Sequence, residues 1–256
     1  MKVTGIRVRP IHGRFDLYRV IVDGIRDSGE VVEDGDIVAV SSKFVAMSQG
    51  RVVDMRSVMP AHDSRAIASR HNMDPRMAEL VLREADHVFA GVPGFLLAVK
   101  DGMLAPNAGI DRSNVMHGLS ILYPLEPFRI ADMLRDKFLI HQQKRVGVVI
   151  VDSRLMPTRI GTSGIALAVS GFEPVIDKRG SRDLFGNVMR VTLHAVADSI
   201  ASAANLVMGE TDESMPIALI RGFNARMSSR CYGWEDLAID HEQCIYVRGL
   251  RAGARV

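Results

Sequence analysis

Apolar residues along this chain come in two kinds of run. Residues 37–40 (IVAV), 146–151 (VGVVIV), 165–169 (IALAV) and 217–220 (IALI) are short, unbroken and rich in β-branched side chains. Runs of that length are too short for an ordinary helix and read as buried strands. Segments 3–8, 95–99 and 188–196 read as further strands, the first of them an edge. Elsewhere the apolar positions recur at helical spacing. A weak helix is expected around His62 to His71, and a better-marked one follows Asp74 as N-cap and Pro75 as first residue, burying Met77, Leu80, Val81 and Ala85. From Pro127 a third helix carries Ile130, Ala131, Leu134 and Phe138 on one face, and Ala197 to Met208 is a small-residue helix with Gly209 as its C-cap.

The run 146–151 organises the rest. It is the most strongly buried pattern in the chain, and it stops abruptly at Asp152-Ser153, after which Arg159, Gly161, Thr162, Ser163 and Gly164 form a polar turn. In sheets of this kind ligand chemistry collects at the carboxyl ends of strands. An Asp followed by a hydroxyl there suits a metal or a phosphate, although both are also ordinary turn residues. The run 37–40 ends the same way, in Ser41-Ser42-Lys43, where the lysine is a solvated loop charge or a phosphate contact.

Composition narrows the field without choosing within it. The chain has 256 residues, 47% hydrophobic and 24% charged, with a formal net charge of +2. That is globular material, too balanced in charge and too poor in aromatics to argue for nucleic acid. No apolar stretch is long enough to span a bilayer, and the start, MKVTGIRVRP, lacks the apolar core of a signal peptide, so a cytoplasmic protein is expected. Cys231 and Cys244 then read as reduced thiols without zinc spacing. His62, His71 and His87 fall on polar faces or loops, none with a partner at ligand spacing.

Two further stretches carry chemistry. Residues 106–114 (PNAGIDRSN) pack amides, an acid, a base and a hydroxyl into one loop, which could coordinate a cation through Asp111 and a polar ligand through Asn114. Arg112 could equally pair with Asp111 and make both structural. After Gly209 come Glu210, Asp212 and Glu213, acids at the negative end of a helix dipole. On a wet surface such a cluster is harmless; otherwise a cation belongs there. Asp111, Asp152 and Glu210 are all hard oxygen donors, which points to Mg²⁺ or Mn²⁺. No Walker A sequence or kinase glycine loop is present, so a nucleotide site would be of another type.

NAGIDRSN, the GVVIVDS strand end, GTSGIALAVSGF and DLFGNVMRVTLHAVADSIASAANLVMGE together resemble the coenzyme F420:L-glutamate ligase family, from the GIRV near the start to about Phe223. The resemblance implies an α/β (α+β) fold, a mixed sheet with flanking helices unlike the common nucleotide-binding folds, in an intertwined homodimer. It implies a ligase domain over 1–223, in one or two subdomains, and leaves 224–256 as an unassigned extension. The implied activity joins L-glutamate in γ-linkage to the precursor of the deazaflavin coenzyme F420, with GTP phosphorylating the acceptor carboxylate and GDP and phosphate released. By match of motif, Asp111, Asp152 and Ser153 would hold one divalent ion and Glu210 a second, with K⁺ a further candidate. Asp111, Asp152 and Arg159 would be the catalytic set. Nucleotide contacts would come from Ile6, Arg7, Val8 and Arg9, from Ser42, Lys43, Met47 and Asn114, and from Met208, Gly209, Glu210, Thr211, Asp212, Glu213, Ser214 and Met215.

The sequence departs from the family pattern in three places. A Ser-Lys pair is replaced by Ala46-Met47, so a nucleotide-contacting lysine is missing and Lys43 is its stand-in. The usual Gly-Arg-Pro-aromatic-Arg becomes Leu155-Met156-Pro157-Thr158-Arg159, keeping Pro157 and Arg159 alone, and a Gln-type residue in the next turn is Thr162. These changes leave two alternatives: a paralogue that adds an amino acid to another carboxylate, and a GTP- or metal-binding regulatory protein without turnover.

Overall fold

The structure, a computed structural model, describes residues 1–252. In chain order the elements are β1 (Lys2–Ile6), α1 (Leu17–Asp27), β2 (Ile37–Ser41), α2 (Ser42–Ser48), β3 (Val52–Asp54), α3 (His62–Arg70), α4 (Pro75–Glu84), β4 (His87–Val92), β5 (Phe95–Lys100) and β6 (Met103–Pro106). They continue as β7 (Leu119–Ile121), α5 (Pro127–Gln142), β8 (Gly147–Leu155), β9 (Thr162–Ser170), β10 (Val175–Asp177), β11 (Leu193–Ala195), α6 (Val196–Met208), β12 (Ile217–Arg221) and α7 (Ile245–Arg251). This is the mixed α/β composition expected. The chain forms two compact units, each assembled from distant pieces. Met1–Pro10, Asp16–Ser42 and Glu126–Leu237 make the first; Ile11–Phe15, Lys43–Leu125 and the described residues after Leu237 make the second. Units that interleave along the chain leave no linker for a sequence to show.

The first unit is built on a five-stranded sheet in the order β1-β12-β2-β8-β9. β2 and β8 pair in parallel, Ile37 beside Gly147 through Ser41 beside Val151, and the other pairs are antiparallel. The four unbroken apolar runs are the four inner and hairpin strands, and their residues are almost wholly buried. β12 inserts between β1 and β2, so the last strand in sequence lies inside the sheet. Helix α6 lays Ala197, Ala201 and Ala204 against Val149, Val151 and Ala166. Small residues permit that close approach, and so does Gly164 in β9, where an added Cβ would come within 2.7 Å of the Asn205 Cβ and meet the Ala201 carbonyl. Helix α5 buries Ala131, Leu134 and Phe138 as its spacing predicts and packs on β8 and β9.

Three boundaries differ from expectation. β8 does not end at Asp152-Ser153: it runs on to Leu155 as a hairpin with β9, so Thr162 to Gly164 are strand and not turn. What ends at Val151 is the parallel partner β2, and with it the burial. β1 stops at Ile6, short of Val8. Segment 188–196 is a strand only over Leu193–Ala195, and Val196 already opens α6. The alternation there has no sheet to satisfy it, and Val191 stays 84% exposed.

The second unit contains the antiparallel sheet β4-β5-β6, the pair β3-β7 and a core of Met55, Met77, Leu80, Val81, Leu96, Ala98, Ile110 and Leu122. α4 starts as read: the Asp74 carboxylate accepts from the Arg76 amide, with Pro75 in the first turn. His87 is exposed, as a polar-face residue should be, and it begins β4. A register shift between Val88 and Ala90 breaks the period-two pattern that would have marked this strand. The extension divides between the units. Trp234 meets Phe128 edge-on in the first, while in the second His241 lies against His87 and Phe89, and Arg251 covers the Phe89 ring.

Candidate functional site

In the first unit the candidate groups collect around the carboxyl ends of β2 and β8. Because β2 ends at Ser41, β8 loses its parallel neighbour just before Asp152, which is half-buried. The Ser42 hydroxyl donates to Asp152 Oδ1 at 2.9 Å, and the Ser153 amide donates to the same oxygen at 3.1 Å. Both bonds orient the carboxylate. Ser153 is exposed beside it, its hydroxyl available to an approaching ion or phosphate.

The turn after α6 is ordered by private partners for its acids. Glu210 Oε1 accepts from the Thr162 hydroxyl at 3.0 Å and from Asn205 Nδ2 at 3.1 Å. Glu213 accepts from the Thr211 amide at 2.8 Å and the Thr211 hydroxyl at 3.2 Å, and backbone amides, its own first and then that of Thr211, hold its carboxyl below the ordinary value. Gly209, at φ 74°, lets the Glu213 carboxylate close over it where any Cβ would collide. Glu210 and Glu213 are therefore accommodated separately. Thr162, read from the sequence as a turn residue and a departure from the family pattern, ties the β9 strand to Glu210. Asn205 was missed; its signal is a lone amide in the last turn of an otherwise small and apolar helix.

The two proposed nucleotide segments of this unit do meet. The Val8 amide donates to the Ser214 carbonyl at 2.9 Å, and the Ser214 hydroxyl donates back to the Val8 carbonyl at 2.7 Å. Ser214 adopts φ 57°, which turns the chain from the acidic turn into β12. Ile6 is buried at the end of β1, whereas Arg7 and Arg9 are exposed. Arg159 is also exposed, in the hairpin turn whose Thr158 holds φ 59° and whose Ile160 is wholly in solvent.

In the second unit Asp111 is bridged by backbone to Ile121, its amide and carbonyl exchanging bonds of 3.0 and 2.8 Å. Its charged partner is Lys43, not Arg112: Nζ lies 2.7 Å from Oδ2. The Ser113 amide donates to Oδ1 at 2.7 Å, and the Ser113 hydroxyl to Oδ2 at 2.9 Å. Burial pushes the Asp111 carboxyl up, but the Lys43 hydrogen bond and charge, with both Ser113 donors, bring it to a net position below the usual value. Asn107 is structural: its buried side chain accepts from the Leu96 amide at 2.9 Å. Asn107, Ala108 and Gly109 all have positive φ, which sharpens the loop ahead of Asp111. Asn114, at φ 55°, is exposed. Met47 lies in α2, four residues after Lys43 and one helical turn away from it.

Each candidate ligand is of the type that hard divalent cations take. Asp111, Asp152, Ser153 and Glu210 offer oxygen alone, and all are half-buried or exposed. Among the described residues no three His, Cys, Asp or Glu side chains gather as a ready cage. Mg²⁺ is typically held by one or two carboxylates, with phosphates and water completing its shell. No helix among the described residues is long and apolar enough to cross a membrane.

Comparison with known proteins places the chain in a family. The model for F420-0:gamma-glutamyl ligase matches residues 5–222. Coenzyme F420:L-glutamate ligase of Methanopyrus kandleri is 36% identical over 204 residues, 79% of this chain and 81% of its own. The protein of the same name from Archaeoglobus fulgidus is 38% identical over 192 residues, covering 75% and 77%, and that of Haloarcula marismortui is 34% identical over 231 residues, covering 88% and 89%. The chain belongs to the F420-0:gamma-glutamyl ligase family.

Proposed function

We propose that this protein is a GTP-dependent ligase that joins L-glutamate in γ-linkage to the coenzyme F420 precursor. The observation that carries the reading is Asp152-Ser153 at the point where β8 leaves its parallel partner, in a chain that matches the family from residue 5 to 222. A carboxylate resists attack because its charge repels nucleophiles and oxide is a poor leaving group. Transfer of the GTP γ-phosphoryl group to it solves both problems. The glutamate amine then attacks the acyl carbon, phosphate departs, and GDP and phosphate are the by-products.

Asp111, Asp152, Ser153 and Glu210 are the residues that would hold Mg²⁺ or Mn²⁺, which when bound neutralises phosphate charge. Ser42 keeps Asp152 oriented, and Thr162 and Asn205 keep Glu210 oriented. Arg159 supplies an exposed cation for substrate carboxylate or phosphate. The pair formed by Val8 and Ser214 holds the two strand-end segments proposed to contact the nucleotide.

The homodimer is part of the proposal. Between β10 and β11 the chain runs out in an arm whose Leu184 and Phe185 are 99% and 89% exposed. Apolar side chains that bare call for cover, and a second copy would supply it.

The test is nucleotide consumption by the purified protein, with the product identified by mass. GTP should be cleaved when acceptor and glutamate are both present, with one glutamyl residue (glutamate less water) added per GTP. Cleavage with another acceptor and none with the F420 precursor would favour the paralogue, a reading that the solvent-facing loop 156–160 leaves room for. GTP binding without cleavage under every condition would favour a regulatory protein.

A further inference from the structure

We propose that Lys43 is a resident cation on the Asp111 carboxylate, which a divalent ion displaces, and that the freed ammonium then turns to the phosphates of the nucleotide. The inference rests on the ligase reading above, in which Asp111 is a metal ligand. Its evidence is the way the ammonium is used. Lys43 Nζ lies 2.7 Å from Asp111 Oδ2, 2.6 Å from the Ser113 hydroxyl and 3.2 Å from the Ser113 carbonyl. An ammonium has three N–H donors, and here three oxygens face it. As long as this arrangement lasts, Lys43 has no donor left for a phosphate.

The carboxylate is equally committed. Its Oδ1 takes the Ser113 amide, and its Oδ2 takes the Ser113 hydroxyl as well as Lys43. A divalent ion seeks the same hard oxygen. Two cations sharing it would stand a few ångströms apart, where like charges repel strongly even at an effective dielectric of ~20. One must leave, and the lysine can, because a four-carbon stem is flexible and the side chain is 23% exposed. Ser113 stays behind to orient Asp111 through its amide. The consequence is an exchange: metal in, ammonium out towards the γ-phosphate. Metal and nucleotide then favour one another, and linkage makes the coupling reciprocal. Lys43 is in this account a positioning residue in the metal-free protein and a nucleotide contact in the loaded one.

A permanent structural ion pair makes the opposite prediction for metal binding. If Lys43 only steadies Asp111, removing it loosens the ligand and weakens the metal. If Lys43 competes, removing it strengthens the metal. The experiment measures Mn²⁺ binding to the full chain without nucleotide, by titration calorimetry or the loss of free-Mn²⁺ paramagnetic signal. Lys43→Met keeps the length of the stem on α2 and removes the charge; it should bind Mn²⁺ about tenfold more tightly than the wild type. Lys43→Gln, which keeps a donor without the charge, should shift affinity in the same direction, and Lys43→Arg should show no gain. With a non-hydrolysable GTP analogue, Mn²⁺ should strengthen nucleotide binding by a larger factor in the wild type than in Lys43→Met. Unchanged or weaker Mn²⁺ binding in both neutral variants overturns the displacement and leaves the ligase reading standing. A wild type that takes up no Mn²⁺ overturns the metal assignment itself, and the displacement with it.

Discussion

The hairpin β8–β9 has two halves that obey different rules. Its root, Gly147 to Val151 opposite Ala166 to Ser170, has β2 on its other side and α6 above it, and almost none of its surface meets water. Its outer half, Asp152 to Leu155 opposite Thr162 to Ile165, has lost β2 and carries Asp152, Ser153, Arg154, Thr162 and Ser163. One continuous strand is thus buried scaffold for five residues and carries the proposed site in the next few. The lesson is that the end of the neighbour, not the end of the strand, marks where the polar, accessible stretch begins. A carboxylate at that step stands on a rigid base and is half-buried.

The sharpest way to break the comparison is to change one residue just past the step. Asp152→Asn should lower turnover by at least about a thousandfold, about 4 kcal/mol in the barrier, while the melting temperature moves little. Retained turnover at saturating Mg²⁺ would remove Asp152 from the metal ligands. Just inside the root, Ile150→Ala should do the reverse. It should cost about 2–5 kcal/mol of stability by leaving a cavity, read as a lower denaturant midpoint, with turnover per folded molecule little changed. Gly164→Ala, on the opposite strand, should cost about 1–3 kcal/mol, since its methyl group meets Asn205 and the Ala201 carbonyl of α6. An unchanged midpoint would mean the helix can move away. At the tip, Thr158→Gly should stabilise by about 0.5–1 kcal/mol, because a β-branched residue there is held at φ 59°.

The smallest effect concerns acid at the base of the arm. Hydrogen bonds from the Arg179 side chain, then from its amide, lower the Asp177 carboxyl from its ordinary 3.8 to about 2. A depressed carboxylate favours the folded state above its unfolded value, and that contribution goes as pH falls through the folded one. A carbon-detected titration should find Asp177 still ionised at pH 3, with little change in global stability because the pair is exposed. Titration near 3.8 would mean that the pair does not persist in solution.

The sequence was most readable where one residue type has one physical use. Unbroken β-branched runs can be little but buried strands, and Asp74-Pro75 could be little but a helix start, so both are found where expected. The strand ends were misread because a polar residue looks the same whether its strand stops or merely loses a neighbour. Asp152 shows the second case. The insertion of β12 between β1 and β2 is a matter of distant pairing, which no local pattern records. Within the candidate site, the acids were legible by type, but their partners were not. Lys43 finds Asp111 across 68 positions and Ser42 finds Asp152 across 110.

The most direct measurement follows oxygen from the acceptor. If phosphorylation of the carboxylate precedes attack by the glutamate amine, one carboxylate oxygen must leave with the phosphate. With the acceptor carboxylate labelled in ¹⁸O, the phosphate released during ligation should carry one labelled oxygen. Unlabelled phosphate, with ligated product formed and the acceptor's label intact before reaction, would contradict carboxylate activation at this site.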